Sequence, residues 1–173
     1  CALPILRIGS GDRHVVVTAR HHACESTASY ALEGLLRAVL EDDPLAPTYC
    51  LHVVPFVDVD GVERGDQGKH RAPHDHNRDY VTGNALSDDL SPLYRTTGAI
   101  MTRVRGLEGR LALALDLHCP YKWGGDNDRP FFVDAADDPE AALDDLAAAL
   151  ERASDRQSGL DYDAAPGTGI HRF

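Results

Sequence analysis

Two short motifs in this 173-residue chain combine the residue types that metal chemistry needs. In Arg20-His21-His22-Ala23-Cys24-Glu25, His22 and Glu25 have one helical turn between them, so a ring nitrogen and a carboxylate oxygen can converge on one point. On its own such a pair can equally be two solvated polar groups, with Glu25 suited to a helix N-terminus. The second motif, Leu115-Asp116-Leu117-His118, puts a histidine at the end of an apolar run. Alone, His118 could be a strand-end histidine satisfied by a neighbour. Taken together, two imidazoles and one carboxylate make a catalytic zinc set that leaves a fourth position for water.

That set forms only if the fold brings residue 22 beside residue 118, and the element pattern predicts such a fold. His14–Ala19 is a short β-branched run that reads as a strand. From about Ser26, apolar residues fall at Ala28, Ala31, Leu32, Leu35, Leu36 and Val39, the spacing of a helix. Tyr49–Val57 reads as a second strand, Pro92 to about Val104 as a helix, Leu111–Leu117 as a third strand and Phe131–Val133 as a fourth. Asp137-Asp138-Pro139-Glu140 has the acidic residues and first-turn proline of a helix start, followed by Leu143, Leu146 and Leu150. Leu111–Leu117 does not alternate cleanly, as expected when both faces of a strand are covered. The whole implies a three-layer α/β domain: a mixed, mostly parallel sheet with helices on both faces. In such folds sites lie at the carboxyl ends of the strands, where both motifs fall. Asp58 to Ser91 is expected to be a long, irregular, functional loop.

Composition sets the limits. The chain has 17 Lys plus Arg against 28 Asp plus Glu, a formal net charge of −11. Nucleic acid and anionic membrane are therefore not expected as partners, since their binders cluster Lys and Arg. No apolar run approaches the roughly 18 to 20 residues of a membrane span. The length and the 43% hydrophobic content predict one domain over residues 1–173. The four cysteines are irregularly spaced and too few for a disulfide scaffold, which favours a reducing, cytoplasmic setting. The sequence opens on Cys1 and ends on Gly167-Thr168-Gly169-Ile170-His171-Arg172-Phe173 without a closing element, so it reads as a fragment cut at both ends.

A third stretch completes a pattern. Asp58-Val59-Asp60-Gly61-Val62-Glu63-Arg64-Gly65 is followed by Lys69-His70-Arg71-Ala72-Pro73-His74-Asp75-His76-Asn77-Arg78-Asp79-Tyr80. The order His-x-x-Glu, Asp-Gly-Val-x-x-Gly, Asp-x-Asn-Arg, Asp-Leu-His resembles the zinc metallocarboxypeptidases, especially the cytosolic-type carboxypeptidases, over about residues 15 to 135. The sequence departs from the usual pattern at Asp58-Val59-Asp60-Gly61, at Ala23-Cys24 and at His76, leaving the ligand positions intact.

The resemblance implies that His22, Glu25 and His118 hold one zinc ion. It implies that Asn77 and Arg78 grip the free terminal carboxylate of a peptide or small amide substrate, a task suited to a guanidinium fork. The plain alternative for Arg78 is an ion pair with Asp75 or Asp79. Asp75 would accept the free ring N–H of the first zinc histidine and fix its tautomer, or else simply cap a loop. Arg71 is the expected carbonyl-polarising cation, with Arg64 and Lys69 as competitors. The implied reaction is hydrolysis of a C-terminal peptide or amide bond. A deacylase related to aspartoacylase or succinylglutamate desuccinylase, and a non-catalytic zinc-binding module, are the rival readings. His21, His70, His74 and His76 read as polar loop residues. Cys24 and Cys119 flank proposed ligands, as small buried filler or as an oxidisable pair. The family's general base is a glutamate after the third ligand, and neither Glu140 nor Glu151 fits that place, so the chain as given is expected to bind zinc without efficient turnover.

Overall fold

The β-branched run is a strand, β2 (Arg13–Ala19), and it organises the sheet. On one side it pairs in parallel with β3 (Tyr49–Val54), on the other in parallel with β4 (Leu111–Leu117). A short strand, β1 (Leu6–Ile8), pairs antiparallel with β3, giving the order β1-β3-β2-β4. The computed structural model describes residues 3–42, 47–80, 92–119, 131–133, 145–146, 148–150, 152 and 163–165.

Helices cover both faces of this sheet. Helix α1 (Ser26–Asp42) packs Ala28, Leu32 and Val39 onto Val17 and Ala19 of β2 and Leu51 and Val53 of β3. Ala31, although on the periodic pattern, is exposed. On the opposite face, Ile100 and Val104 of α3 (Arg95–Arg105) pack against Val54 and Val57. The side chains of Val53 and Val54 therefore go to different helices, which is why β3 shows no exposed face.

Register fixes the site edge. Ala19 pairs with Leu117 and Thr18 with both Asp116 and Val54, so the three parallel strands end together. The residues that follow each strand are delivered to one edge. Pairing continues past β3, where Val57 and Asp58 donate backbone N–H groups to the Ala19 and Arg20 carbonyls at 3.0 Å each. Arg20 leaves β2 at φ +62°, a left-handed conformation costing a non-glycine residue roughly 1 kcal/mol. Its guanidinium bonds the Ala23 carbonyl and the Ser29 hydroxyl, which holds the turn.

The stretch after Asp58 is not irregular throughout. It begins with a six-residue helix, α2 (Val59–Arg64), and later forms a 3₁₀ turn over His76–Arg78. Asp58 caps α2 through a bond from the Gly61 N–H, and Gly65 at φ +71° ends it. With both ends capped, so short a helix needs no apolar stripe.

Residues Cys1–Cys119 form one compact unit and Pro120–Arg172 a second. In the second, β5 (Phe131–Val133) pairs in parallel with β6 (Asp163–Ala165), and residues 145–146 and 148–150 are helical. The expected helix start at Asp137-Asp138-Pro139-Glu140 and the terminal stretch from Gly167 lie outside the described residues. No helix among the described residues is long and apolar enough to cross a membrane.

Candidate metal centre

His22 and Glu25 occupy the turn between β2 and α1, and His118 the first position after β4. The carboxylate of Glu25 lies between the two rings. It accepts from His22 Nδ1–H at 2.9 Å through Oε1 and from His118 Nδ1–H at 2.8 Å through Oε2. Glu25 is only 3% exposed. Burial alone would raise its pKa, but bonds from His118, His22 and Lys69 hold it well below the ordinary carboxylate range. The pKa of His118 is likewise lowered by burial and then raised by the Asp116 and Glu25 carboxylates, to about 10.

One donor atom from each of His22, Glu25 and His118 lies within 4.8 Å of the others. Tetrahedral zinc with ligand bonds of about 2.0 to 2.2 Å needs donors roughly 3.3 to 3.6 Å apart, a separation inside the 4.8 Å that bounds this set. The far side of each imidazole supports the same reading. His22 Nε2 is 3.7 Å from Asp75 Oδ2, and His118 Nε2 is 2.6 Å from Asp116 Oδ2. A ligating histidine backed by a carboxylate is the usual arrangement around a metal.

A buried cluster near the start of β2 offers a control. His14, Cys50 and His52 also bring donor atoms within 4.8 Å of one another. There, however, His52 Nδ1 faces the Arg103 guanidinium at 3.0 and 3.2 Å, and Cys50 Sγ accepts from Arg7 at 3.1 Å. With Nδ1 an acceptor, His52 must carry its proton on Nε2 and donate to His14 Nδ1 at 2.9 Å. His14 Nε2 is then a buried donor with no partner among the described residues. Two guanidiniums and a fixed donor chain oppose a cation at this point.

The other expected residues fall as follows. Asp75 caps the 3₁₀ turn, its Oδ1 accepting from the Asn77 N–H at 2.8 Å, while its Oδ2 stands 3.7 Å from His22 Nε2, beyond hydrogen-bond distance. Asn77 is buried, and its Oδ1 has no hydrogen-bond partner among the described residues. Arg78 is exposed and pairs with neither Asp75 nor Asp79. Asp79 is instead buried and accepts from His74, the Leu93 and Tyr94 amides and the Thr97 hydroxyl. Of the three competing cations, Lys69 reaches Glu25, at 2.9 Å. Arg71 binds Asp58 and Asp66 at 2.5 and 3.1 Å and lines an open cleft of about 510 Å³ with His70 and Tyr94. Arg64 lies at the surface near Asp66. Cys24 is exposed rather than buried filler, Cys119 contacts Thr27, and both thiols are free.

Sequence reasoning missed His21. It is fully buried, with Nδ1 bonded to Asp116 Oδ1 at 2.8 Å and Nε2 to Tyr80 OH at 2.5 Å. Both ring nitrogens are thus engaged. The available signal was the Asp-x-His spacing of Asp116 and His118, which puts both on one side of a strand end.

The fold is that of the metallo-carboxypeptidases. A metallo-carboxypeptidase from Burkholderia cenocepacia superposes with a TM-score of 0.61 at 21% identity, covering 98% of this chain and 45% of that one. Carboxypeptidase A from Helicoverpa armigera gives 0.64 at 18% identity, over 92% of this chain and 48% of that one. In sequence, cytosolic carboxypeptidase 2 of Xenopus tropicalis is 31% identical over 117 residues, and cytosolic carboxypeptidase 2 of Danio rerio 39% over 72. Those matches cover 65% and 39% of this chain but only 12% and 10% of the relatives' own length. No family model matches the sequence. The resemblance to the metallocarboxypeptidases is borne out by these relatives and this fold.

Proposed function

We propose that this chain carries the zinc-binding core of a metallocarboxypeptidase that hydrolyses a C-terminal peptide or amide bond. The observation that supports this best is the pair of Nδ1 atoms meeting one buried carboxylate, with a second carboxylate behind each ring. His22, Glu25 and His118 would hold one zinc ion, which when bound supplies Lewis-acid polarisation of the scissile carbonyl and activation of water.

The chain's own groups supply positioning. Arg78, at the surface and unpaired among the described residues, and Asn77, through its side-chain NH2, are available to hold the substrate's free carboxylate. Arg71 is kept in place by two aspartates beside an open cleft, where its guanidinium polarises the carbonyl. Asp75, 3.7 Å from His22 Nε2, would orient that ring on closing to hydrogen-bond distance. The described glutamates other than Glu25, namely Glu33, Glu41, Glu63 and Glu108, are exposed on α1, α2 and the turn before β4. The general base therefore comes from outside the described residues, and we expect the chain to bind zinc better than it turns over substrate. The name of the sequence relatives supports a cytosolic setting.

The test is stoichiometric metal analysis of the purified chain and of His118→Ala, followed by assays on blocked dipeptides and N-acyl amino acids. One zinc per chain, lost on the substitution, is expected. Zinc retained by His118→Ala refutes the ligand set, and preference for N-acyl amino acids refutes the peptidase reading in favour of a deacylase.

A further inference from the structure

Asp116, the carboxylate behind His118, is half-buried and gathers three side chains. Its register partner across β2–β4 is Thr18, whose hydroxyl donates to Oδ1 at 2.8 Å. The same oxygen accepts from His21 Nδ1–H at 2.8 Å, and Oδ2 accepts from His118 Nε2–H at 2.6 Å. Behind His21, the Tyr80 hydroxyl contacts Nε2 at 2.5 Å, and burial, with Asp116 and Asp79 nearby, keeps that phenol protonated. The proton order follows from one end to the other. Tyr80 donates to His21 Nε2, so His21 carries its proton on Nδ1 and donates to Asp116. Asp116, oriented by Thr18 and His21, is left with Oδ2 for His118.

We propose that Asp116 is the positioning residue for the His118 ligand, fixing the ring with Nε2 protonated and Nδ1 turned toward Glu25 and His22. This rests on the zinc reading above. It assigns His21 a role as well: with both nitrogens committed, His21 does not ligate but braces Asp116. The cluster His21, Asp116 and His118 has donor atoms close enough for a metal of its own. The hydrogen-bond order instead makes it the support of the neighbouring site. An asparagine at 116 cannot do the same work. It offers one acceptor and one donor to two ring N–H groups, so either His21 or His118 is opposed by a like donor.

The test uses the full chain, stripped of metal and titrated with zinc against a competing chromophoric chelator. Wild type, Asp116→Asn and His118→Ala are compared, with thermal unfolding recorded for each. Asp116→Asn is expected to bind zinc about 10- to 100-fold more weakly than wild type. Equal zinc affinity in a cooperatively unfolding Asp116→Asn, with binding abolished in His118→Ala, overturns this inference and leaves the ligand set standing. Wild type that takes up no zinc overturns the ligand set and this inference with it. Should Asp116→Asn not fold, ¹⁵N NMR of the zinc-loaded wild type decides. Metal on Nδ1 with a proton on Nε2 of His118 supports the proposal, and metal on Nε2 overturns it.

Discussion

Acidification should weaken the fold through its buried histidine pair before any carboxylate titrates. His52 is 2% exposed, and its pKa is lowered to about 4 by burial first, then by the positive charges of Arg103, His14 and Arg7. His14 moves the same way, chiefly through burial. Protonating His52 would place a donor on Nδ1 against the Arg103 donors. In the unfolded chain the group titrates near 6.5, so between pH 6.5 and 4 the unfolded state binds a proton that the folded state refuses, and stability falls as pH falls. At about 1.4 kcal/mol for each tenfold change in proton affinity, a fall from 6.5 to about 4 corresponds to about 3 kcal/mol, of which about 2 is lost between pH 7 and 4.5. Ordinary carboxylates titrate near or below the end of that window. Urea unfolding at half-unit steps from pH 7 to 4.5 measures the loss, and His52→Gln, which cannot titrate, should remove most of the slope. A slope equal in wild type and His52→Gln would refute the reasoning.

Gly61→Ala should destabilise the chain by about 3 kcal/mol, lowering the unfolding temperature by roughly 10 °C, because the new Cβ would collide with Asp58 Oδ2 and Arg71 Nη2 at a buried ion pair that also caps α2; scanning calorimetry gives the value, and a change under about 2 °C would show that the pair can shift freely. Arg78→Ala should weaken binding of a blocked dipeptide acid to the zinc-loaded chain by about 10- to 100-fold, the loss of a charge-assisted bond of about 1.5 to 3 kcal/mol, while leaving binding of the amide unchanged. Calorimetric titration of both ligands measures this, and equal losses on acid and amide would remove Arg78 from carboxylate recognition.

The legible parts of the sequence were those where one residue type does one thing. Leu111–Leu117 is a strand over that whole span, and the helix starts at Ser26, because apolar runs and helical spacing report burial directly. The second strand ends at Val54 rather than Val57, at the residue before Pro55, which lacks an N–H for the ladder. Strand β1 was missed because Leu6 is exposed and its three residues carry no alternation. Helix α2 was missed because caps, rather than packing, define it. At the site, the ligand motifs were legible as local spacings. The partnership of His21 with Asp116 and Tyr80 was not, since it joins residues 95 and 59 positions apart and only strand register reveals it.

The order of the strands has a consequence for assembly. His14 and His52, across β2 and β3, are 38 residues apart in the chain, whereas Thr18 and Asp116, across β2 and β4, are 98 apart. Closing the longer loop costs about 1 kcal/mol more in chain entropy, and the shorter one already brings α1 with it. Loop closure thus favours forming the β2-α1-β3 half, which carries His22 and Glu25, ahead of the docking of β4. His118 arrives with that last strand. The proposed ligand set is complete only once β4 has paired with β2, so metal uptake during refolding is expected to report the docking of β4 and to distinguish the finished sheet from its half-built precursor.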